Sequence, residues 1–318
     1  MIQKLVALSL ILGMIGSARC EEAPGGKLIV FHAGSLSVPF KQIGQAFNKQ
    51  YPDVEILFES AGSLDCARKI SDLNRPCDVF ASADYLVIDK LLIPAHAEWN
   101  IKFAANEMTL VYHDTSRRSA ELTATNWFTI LQDPAVAFGR ANPNADPCGY
   151  RAVLSMQLAE KHYQKPGLAD ALLKKDANYI RPKEVDLLAL LESGTIDYIF
   201  LYRSVAVQHG LNYLLLPDPI NLKKAELAEH YAQASVQLSG KKPGEYVTQK
   251  GEPMVYGITI PTRAPNPVAA RAFVKFVLTR DHGMKIIETL GQPSVVPSPC
   301  SAWEKLPVDL QPFATPRK

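Results

Sequence analysis

The chain lacks the motifs that mark several common classes of enzyme. Its 7 histidines are scattered, without the His-x-x-x-His or His-Glu-x-x-His spacing of a zinc hydrolase. It has neither the Gly-x-Ser-x-Gly turn of a serine hydrolase nor a glycine-rich loop that ends in Gly-Lys-Ser/Thr. The net charge is only +2, and no arginine-rich run is interleaved with aromatic residues, so nucleic acid is not an expected partner.

Long apolar segments are scarce as well. Beyond the N-terminus, no stretch reaches the roughly 18 apolar residues that a membrane-spanning helix requires. The composition, 47% hydrophobic and 21% charged residues over 318 positions, is typical of a globular protein. This length suits two domains of ordinary size, or one large one.

The N-terminus has the features of a secretory signal peptide over residues 1–20. Lys4 supplies a positive charge, residues 5–15 form a short apolar run, and small residues follow. Cleavage after Cys20 would release a periplasmic or otherwise exported protein. Lipidation of Cys20 is the alternative, but Arg19 stands where lipoprotein signals have a small residue. A signal anchor is disfavoured because the apolar run is short.

Four cysteines follow position 20, and none of them forms a Cys-x-x-Cys pair. In an exported protein an even number of cysteines favours disulfides. Cys66 and Cys77 are close in sequence across an expected helix-to-strand connection, so we expect them to form a bridge. Metal binding by thiolates is disfavoured because the spacing does not fit it.

Hydrophobic periodicity predicts strands that alternate with helices in the first third of the chain. Such a β-α-β-α-β order implies a parallel sheet with right-handed crossovers, whose ligands bind at the carboxyl ends of the strands. The expected strands are 28–32, 53–59 and 78–81, and the expected helices are 38–50, 63–73 and 85–92. The first helix should turn Phe40, Ile43 and Phe47 inward.

A second α/β unit should begin after a strand over 106–112. Its expected strands are 136–139, 198–202 and 255–260, its expected helices are 150–163 and 185–192, and helices over 268–278 and 284–290 return to the first unit. We therefore expect lobe 1 over 27–112 and 261–318 and lobe 2 over 113–260, with a hinge near 112 and 260. The segment 239–250 is rich in proline and lysine, which predicts an exposed loop.

Two matching turns are the most informative feature of the sequence. Ala-Gly-Ser-Leu follows the first predicted strand at 33–36 and the second at 61–64. Each turn places a hydroxyl, Ser35 or Ser63, and backbone N–H groups near the start of a helix, an arrangement that favours an anion. Either serine alone is more simply a helix N-cap. The repeated setting favours a shared oxyanion site.

Four further positions are candidates for the same site. Asp146 precedes Pro147 at an expected helix start, where the amide of Cys148 is also offered to a ligand. Glu184 lies in the first turn of another helix, and Tyr202 ends a strand. Each has a simpler interpretation: the two carboxylates as a helix cap and a partner of the helix dipole, and the tyrosine as packing. Paired acid and base chemistry by the carboxylates also stays open.

The chain resembles the molybdate/tungstate-binding proteins of ABC importers, particularly their tungstate-binding branch. The resemblance covers about 27 to 297. Its elements are HAGSL at 32–36, SAGSL at 60–64, DVFASADYLVIDKLLIP at 78–94, NPNADPCGYRA at 142–152, RPKEVDLLALLESGTIDY at 181–198 and YRSVAVQHGL at 202–211.

This resemblance implies the type II periplasmic binding fold, in which two α/β lobes close on the ligand about a hinge. It implies hydroxyl or amide contacts from Ser35, Ser63, Cys148 and Tyr202, and coordination of the Mo or W atom by the carboxylates of Asp146 and Glu184. The ligand is molybdate or tungstate, with no cofactor and no enzymatic activity. The partners are an ABC permease and its ATPase subunits, and we expect a monomer. Cys148, which contributes only its amide, could also form a disulfide with Cys300.

Two other functions remain as alternatives. Sulfate and phosphate are also tetrahedral oxyanions that amides and hydroxyls can hold. A secreted hydrolase could use Asp146 and Glu184 as acid and base. The carboxylates would repel a dianion by several kcal/mol in a partly desolvated cleft. Coordination of a high-valent metal that can become six-coordinate removes this conflict, and sulfur cannot readily do the same.

Overall fold

Strands alternate with helices along most of the chain. The structure is a computed structural model that describes residues 23–317 except 241 and 243, so the predicted signal peptide lies outside the described residues. The strands are β1 (Gly26–Ala33), β2 (Val54–Ala61), β3 (Val79–Ser82), β4 (Ile101–Ala105), β5 (Met108–Tyr112), β6 (Phe138–Ala141), β7 (Ile180–Arg181), β8 (Tyr198–Tyr202), β9 (Asn212–Leu215), β10 (Ser235–Ser239), β11 (Tyr246–Lys250), β12 (Val255–Thr259), β13 (Ser298–Cys300) and β14 (Ala314–Pro316).

Twelve α-helices connect or cover these strands in the described part of the chain. They are α1 (Ser37–Gln50), α2 (Ser63–Ser71), α3 (Tyr85–Leu91), α4 (Trp127–Gln132), α5 (Pro147–His162), α6 (Leu168–Lys175), α7 (Leu188–Glu192), α8 (Arg203–His209), α9 (Asp218–Asn221), α10 (Ala228–Tyr231), α11 (Pro267–Leu278) and α12 (Lys285–Thr289). Short 3₁₀ turns lie at Gly34–Leu36, Ser119–Glu121, Asp176–Tyr179, Glu184–Leu187, Ala225–Leu227, Trp303–Lys305 and Gln311–Phe313, with a π-helical turn at Arg280–Met284.

The first sheet has five strands in the order β2-β1-β3-β12-β4. β1 is parallel to β2 and β3, whereas β12 is antiparallel to β3 and β4. Phe40, Ile43 and Phe47 of α1 are fully buried, as the periodicity predicted. Ala33 and Ala61 are partners in the β1–β2 register, so the two serine turns begin side by side at one edge of this sheet.

The second sheet repeats this plan in the order β7-β6-β8-β5-β9. β6 is parallel to β7 and β8, and β5 is antiparallel to β8 and β9. Ala141 at the end of β6 is the register partner of Arg181 at the end of β7. The chain segments that lead to Asp146 and Glu184 therefore leave the sheet at the same edge, where β8 ends at Tyr202.

Sheet membership corrects the expected lobe boundaries. Met108–Tyr112 was expected in lobe 1 but pairs in the second sheet, and Val255–Thr259 was expected in lobe 2 but pairs in the first. Each of these strands is the antiparallel member of its sheet, so the chain changes sheets before the strand rather than after it. One connection between the sheets lies between Ala105 and Met108. The other lies between Leu215 at the end of β9 and Val255, and it includes the separate β10–β11 strand pair.

The expected loop over 239–250 is partly wrong. Tyr246–Lys250 pairs antiparallel with Ser235–Ser239 to form the two-stranded β10–β11 hairpin, so part of the expected loop is a strand. Both strands are mostly exposed. The sequence of β11, the strand that ends the expected loop, lacks the apolar alternation by which a half-buried strand is usually recognised.

The expected disulfide between Cys66 and Cys77 is not formed. Both side chains are buried free thiols, as are those of Cys148 and Cys300. The Cys66 thiol lies 3.8 Å from the carbonyl oxygen of His32, and the Cys77 thiol lies 3.2 Å from that of Val79. Each sulfur thus has a backbone acceptor, and burial raises the pKa of the Cys66 thiol to about 12, which keeps it protonated.

Candidate functional site

The six expected site residues meet between the two sheets. Each is at most 1% exposed, and each lies at the end of a strand or the start of a helix or 3₁₀ turn. The residues are Ser35, Ser63, Asp146, Cys148, Glu184 and Tyr202. The first two belong to the first sheet's edge and the other four to the second, so the site is built from both halves of the chain.

Glu184 reaches across to the first serine turn. Its Oε1 accepts the backbone N–H of Ser35 at 2.6 Å. Its Oε2 has no hydrogen-bond partner among the described residues, although it is buried. A Cβ added at Gly34 would lie only 2.9 Å from that oxygen, so glycine is what allows the carboxylate to approach this turn.

Asp146 is both the N-cap of α5 and the neighbour of Glu184. Its Oδ1 accepts the N–H of Cys148 at 2.7 Å, and its Oδ2 accepts the N–H of Glu184 at 3.2 Å. Burial, with the added charge of Glu184, raises the pKa of Asp146 well above the usual range of a carboxyl. The Cys148 amide, expected to face a ligand, is thus engaged by the capping carboxylate in this structure.

The second serine turn packs directly on the segment before Asp146. The N–H groups of Leu64 and Asp65, at the start of α2, lie 3.2 and 3.4 Å from the carbonyl oxygen of Ala145. A Cβ added at Gly62 would lie 2.2 Å from the same oxygen. The two halves of the site are therefore in close contact, and Gly62 is required for that approach.

Several residues that the sequence did not single out complete the site. Tyr256 of β12 donates its hydroxyl to the Oγ of Ser35 at 3.0 Å. Arg151 of α5 donates from Nη1 to the hydroxyl oxygen of Tyr202 at 3.0 Å and to the carbonyl oxygen of Ala83 at 2.7 Å. Arg151 lies in the segment 142–152, whose resemblance to the molybdate/tungstate-binding family was a signal that could have identified it. Tyr256 is an ordinary strand aromatic by sequence and carried no such signal.

A buried ion pair links the two halves beside the site. Nη2 of Arg151 lies 3.5 Å from Oδ2 of Asp84, and both side chains are at least nine-tenths buried. Tyr150 also donates its hydroxyl to Asp84. Asp84 caps α3 in the first half, whereas Tyr150 and Arg151 lie on α5 in the second, so this cluster connects the halves with a compensated buried charge.

The side chains of the candidate site do not form a conventional metal centre. Over residues 23–240 and 244–317, no group of three or more His, Cys, Asp or Glu side chains could hold a metal ion. Burial lowers the pKa of His32 to about 4, so this nearby histidine is neutral. Two carboxylates, three hydroxyls and several amides can bind a small anion, or an oxyanion whose central atom accepts two more oxygens.

The fold and this site define a two-lobed binding protein for a small solute. A family model described as bacterial extracellular solute-binding protein matches residues 28–289. The chain belongs to this family. Among the described residues, no helix is both long and apolar enough to cross a membrane.

Two relatives with high coverage carry a more specific name, and a third does not. The chain is 37% identical over 325 residues to the molybdate/tungstate-binding protein WtpA of Pyrococcus abyssi, which covers 93% of each chain. It is 39% identical over 289 residues to the WtpA protein of Thermococcus kodakarensis, over 81% of this chain and 79% of that one. An uncharacterized solute-binding protein of Petrotoga mobilis is 49% identical over 305 residues, 94% of each chain.

Solved structures confirm the expected α/β fold with two lobes. The periplasmic molybdate-binding protein of Azotobacter vinelandii superposes with a TM-score of 0.60 over 83% of this chain and 98% of that chain, at 16% identity. The sulfate-binding protein SubI of Mycobacterium tuberculosis gives a TM-score of 0.60 over 91% and 92% of the two chains, at 14% identity. At these identities the likeness is one of fold.

Proposed function

We propose that this protein captures tungstate or molybdate and delivers it, chemically unchanged, to an ABC importer. The observation that carries the proposal is the meeting of Asp146 and Glu184 with the serine turns: Glu184 accepts the Ser35 amide at 2.6 Å, and Asp146 accepts the Glu184 amide at 3.2 Å. A site built only for a hydrogen-bonded dianion has no use for two buried carboxylates. Coordination of the metal atom would give both a role.

The ligand contacts follow from the chemistry of each position. The hydroxyls of Ser35, Ser63 and Tyr202 would donate to the oxygens of the anion, because a fully deprotonated oxyanion only accepts hydrogen bonds. The Cys148 amide would do the same once it is released from Asp146. Asp146 and Glu184 would each give one oxygen to Mo or W, which raises its coordination from four oxygens to six.

Two properties of the relatives support this assignment. Two of them, 37% and 39% identical over most of this chain, are named molybdate/tungstate-binding proteins. The family is one of extracellular solute-binding proteins, which fits export by the signal peptide at residues 1–20. The proposed partners are a permease and its ATPase subunits, and the binding protein would act as a monomer without enzymatic activity.

Calorimetric titration of one preparation with tungstate, molybdate, sulfate and phosphate tests the proposal. We expect tight binding of tungstate and molybdate and much weaker binding of the other two. X-ray absorption at the tungsten edge should find six oxygens around the bound atom. Binding of sulfate or phosphate alone would favour the receptor of another oxyanion. Turnover of an ester or glycoside that is lost when Asp146 or Glu184 is substituted would favour a hydrolase.

A further inference from the structure

Each hydroxyl expected to contact the ligand accepts a hydrogen bond from a neighbouring protein donor. The Oγ of Ser63 accepts the N–H of Ala83 at 3.0 Å. The hydroxyl oxygen of Tyr202 accepts from Arg151 at 3.0 Å. Ser35 has the same arrangement, because its Oγ accepts from the hydroxyl of Tyr256, also at 3.0 Å.

The direction of these bonds is fixed for Ser63 and Tyr202. A backbone N–H group and a guanidinium are donors only, so the hydroxyl oxygen must accept. For Ser35 the direction depends on Tyr256, since a hydroxyl can donate or accept. This bond therefore needs a further group to set its direction.

Asn106 sets it. Its Nδ2 donates to the hydroxyl oxygen of Tyr256 at 2.8 Å. The orientation of the Asn106 amide is determined by its other end, where Oδ1 accepts the backbone N–H of Glu107 at 3.0 Å and that of Ser204 at 3.4 Å. Because Tyr256 already accepts from Asn106, its own proton is available for the Oγ of Ser35.

The consequence concerns the serine proton. Ser35 accepts from Tyr256, so its Oγ–H must point elsewhere, and none of the described residues accepts it. Glu184 lies against the amide of the same serine, so this hydroxyl borders the carboxylates of the site. The proton is thus free to donate to an oxygen bound there.

We propose that the two buried side chains Asn106 and Tyr256 act as a relay that turns the hydroxyl proton of Ser35 toward a bound oxyanion. Both are positioning residues, since neither is required to touch the ligand. The inference rests on the proposed function and extends it. Such a relay favours a ligand that only accepts hydrogen bonds, because it directs the Ser35 proton toward the ligand.

Packing alone is the competing explanation for Tyr256. Its ring lies 5.9 Å from that of Phe103 and 6.4 Å from that of Tyr202, centroid to centroid, and both pairs are T-shaped. Tyr256→Phe keeps these ring contacts and removes only the hydroxyl. The variant therefore separates the relay from the packing.

The test is a double-mutant cycle on tungstate affinity with Tyr256→Phe, Ser35→Ala and both together. Tyr256→Phe should raise the Kd for tungstate about tenfold, the size expected for a lost oriented hydrogen bond to an anion. In the Ser35→Ala background the same change should have almost no further effect, because the group it orients is gone.

Tyr198→Phe is the matched control. Tyr198 is also fully buried, and its hydroxyl donates at 2.7 Å to the carbonyl oxygen of Arg117, on the opposite end of β8 from Tyr202. It should lower thermal stability to a similar degree as Tyr256→Phe and leave the Kd unchanged. An unchanged Kd in Tyr256→Phe, or additive effects in the cycle, would overturn the relay. If the wild-type protein binds none of the four oxyanions, the proposed function itself is wrong.

Discussion

Replacing Asp146 by asparagine removes one of two neighbouring buried carboxylates and leaves the shape of the side chain unchanged. Oδ1 of the new amide can still accept the N–H of Cys148, so the cap of α5 is kept. The amide nitrogen cannot accept the N–H of Glu184, which costs about 1 kcal/mol. The substitution also has a stabilising effect, because it removes a carboxyl that burial and Glu184 make difficult to ionise.

The pH dependence of the free energy of unfolding gives the sign and size of this stabilising effect. The pKa of Asp146 in the folded protein lies well above its ordinary 3.8, so the folded state holds a proton that the unfolded state loses first. Stability from this group is complete below the ordinary pKa and is lost as the pH rises through the folded pKa. The free energy of unfolding should fall by as much as about 1.4 kcal/mol per pH unit over that interval.

Urea unfolding of the ligand-free protein between pH 4 and pH 8 measures this slope. We expect Asp146→Asn to flatten it and, near pH 7, to be at least as stable as the wild type. Asp78→Asn is the control, because the buried Asp78 also accepts two backbone N–H groups, from Ile29 at 2.8 Å and Asn266 at 2.6 Å, away from the site. Parallel stability curves for wild type and Asp146→Asn would refute the reasoning.

The same variants test metal coordination. Asp146→Asn and Glu184→Gln should each weaken tungstate binding at least about tenfold, or 1.4 kcal/mol, with a smaller change for sulfate. Asp78→Asn should leave the affinity for both anions unchanged. Equal tungstate affinity in the Asp146→Asn/Glu184→Gln double variant, or four oxygens around tungsten in the wild type, would contradict six-coordinate binding.

Three further predictions concern closure, the core and the thiols. Gly62→Ala should weaken tungstate binding about tenfold or more and abolish any ligand-induced decrease in the radius of gyration measured by X-ray scattering, because its Cβ would lie 2.2 Å from the Ala145 oxygen when the two halves are in contact as in this structure. Arg140→Met should lower the free energy of unfolding by about 3 kcal/mol, since Asp176, 2.6 Å away and fully buried, would lose its cation; an unchanged urea midpoint would contradict this. Peptide mass spectrometry without reductant should find both Cys66 and Cys77 alkylated after denaturation. A disulfide-linked pair of peptides would show instead that the two cysteines form a bridge.

Much of the fold follows from local pattern. The strands β1, β2 and β3 and the helices between them were predicted to within a few residues, because their apolar periodicity is set by burial within one β-α-β unit. β12 was recognised as a strand but assigned to the wrong lobe. Its partners β3 and β4 lie more than a hundred residues earlier, and nothing in the five residues of β12 specifies which sheet they join.

The site shows the same division between local and distant information. Ser35, Ser63 and Asp146 were predicted because each follows a turn whose sequence is itself informative. The two residues that we propose to orient Ser35 were missed. Asn106 and Tyr256 are joined by a hydrogen bond across 150 positions of sequence. No motif marks such a pair, since each residue is ordinary in its own strand or loop.

Under the proposed function, Glu184 would connect closure of the lobes with choice of ligand. Its carboxylate occupies the Ser35 amide, a donor that an oxyanion held by the serine turns would also need. An incoming anion would have to displace the carboxylate from this amide while the carboxylate stays buried near it. For sulfate the displaced charge would have no partner and would repel the ligand. For tungstate or molybdate the central atom could accept the displaced oxygen, so a group that opposes one tetrahedral anion would become a ligand of another.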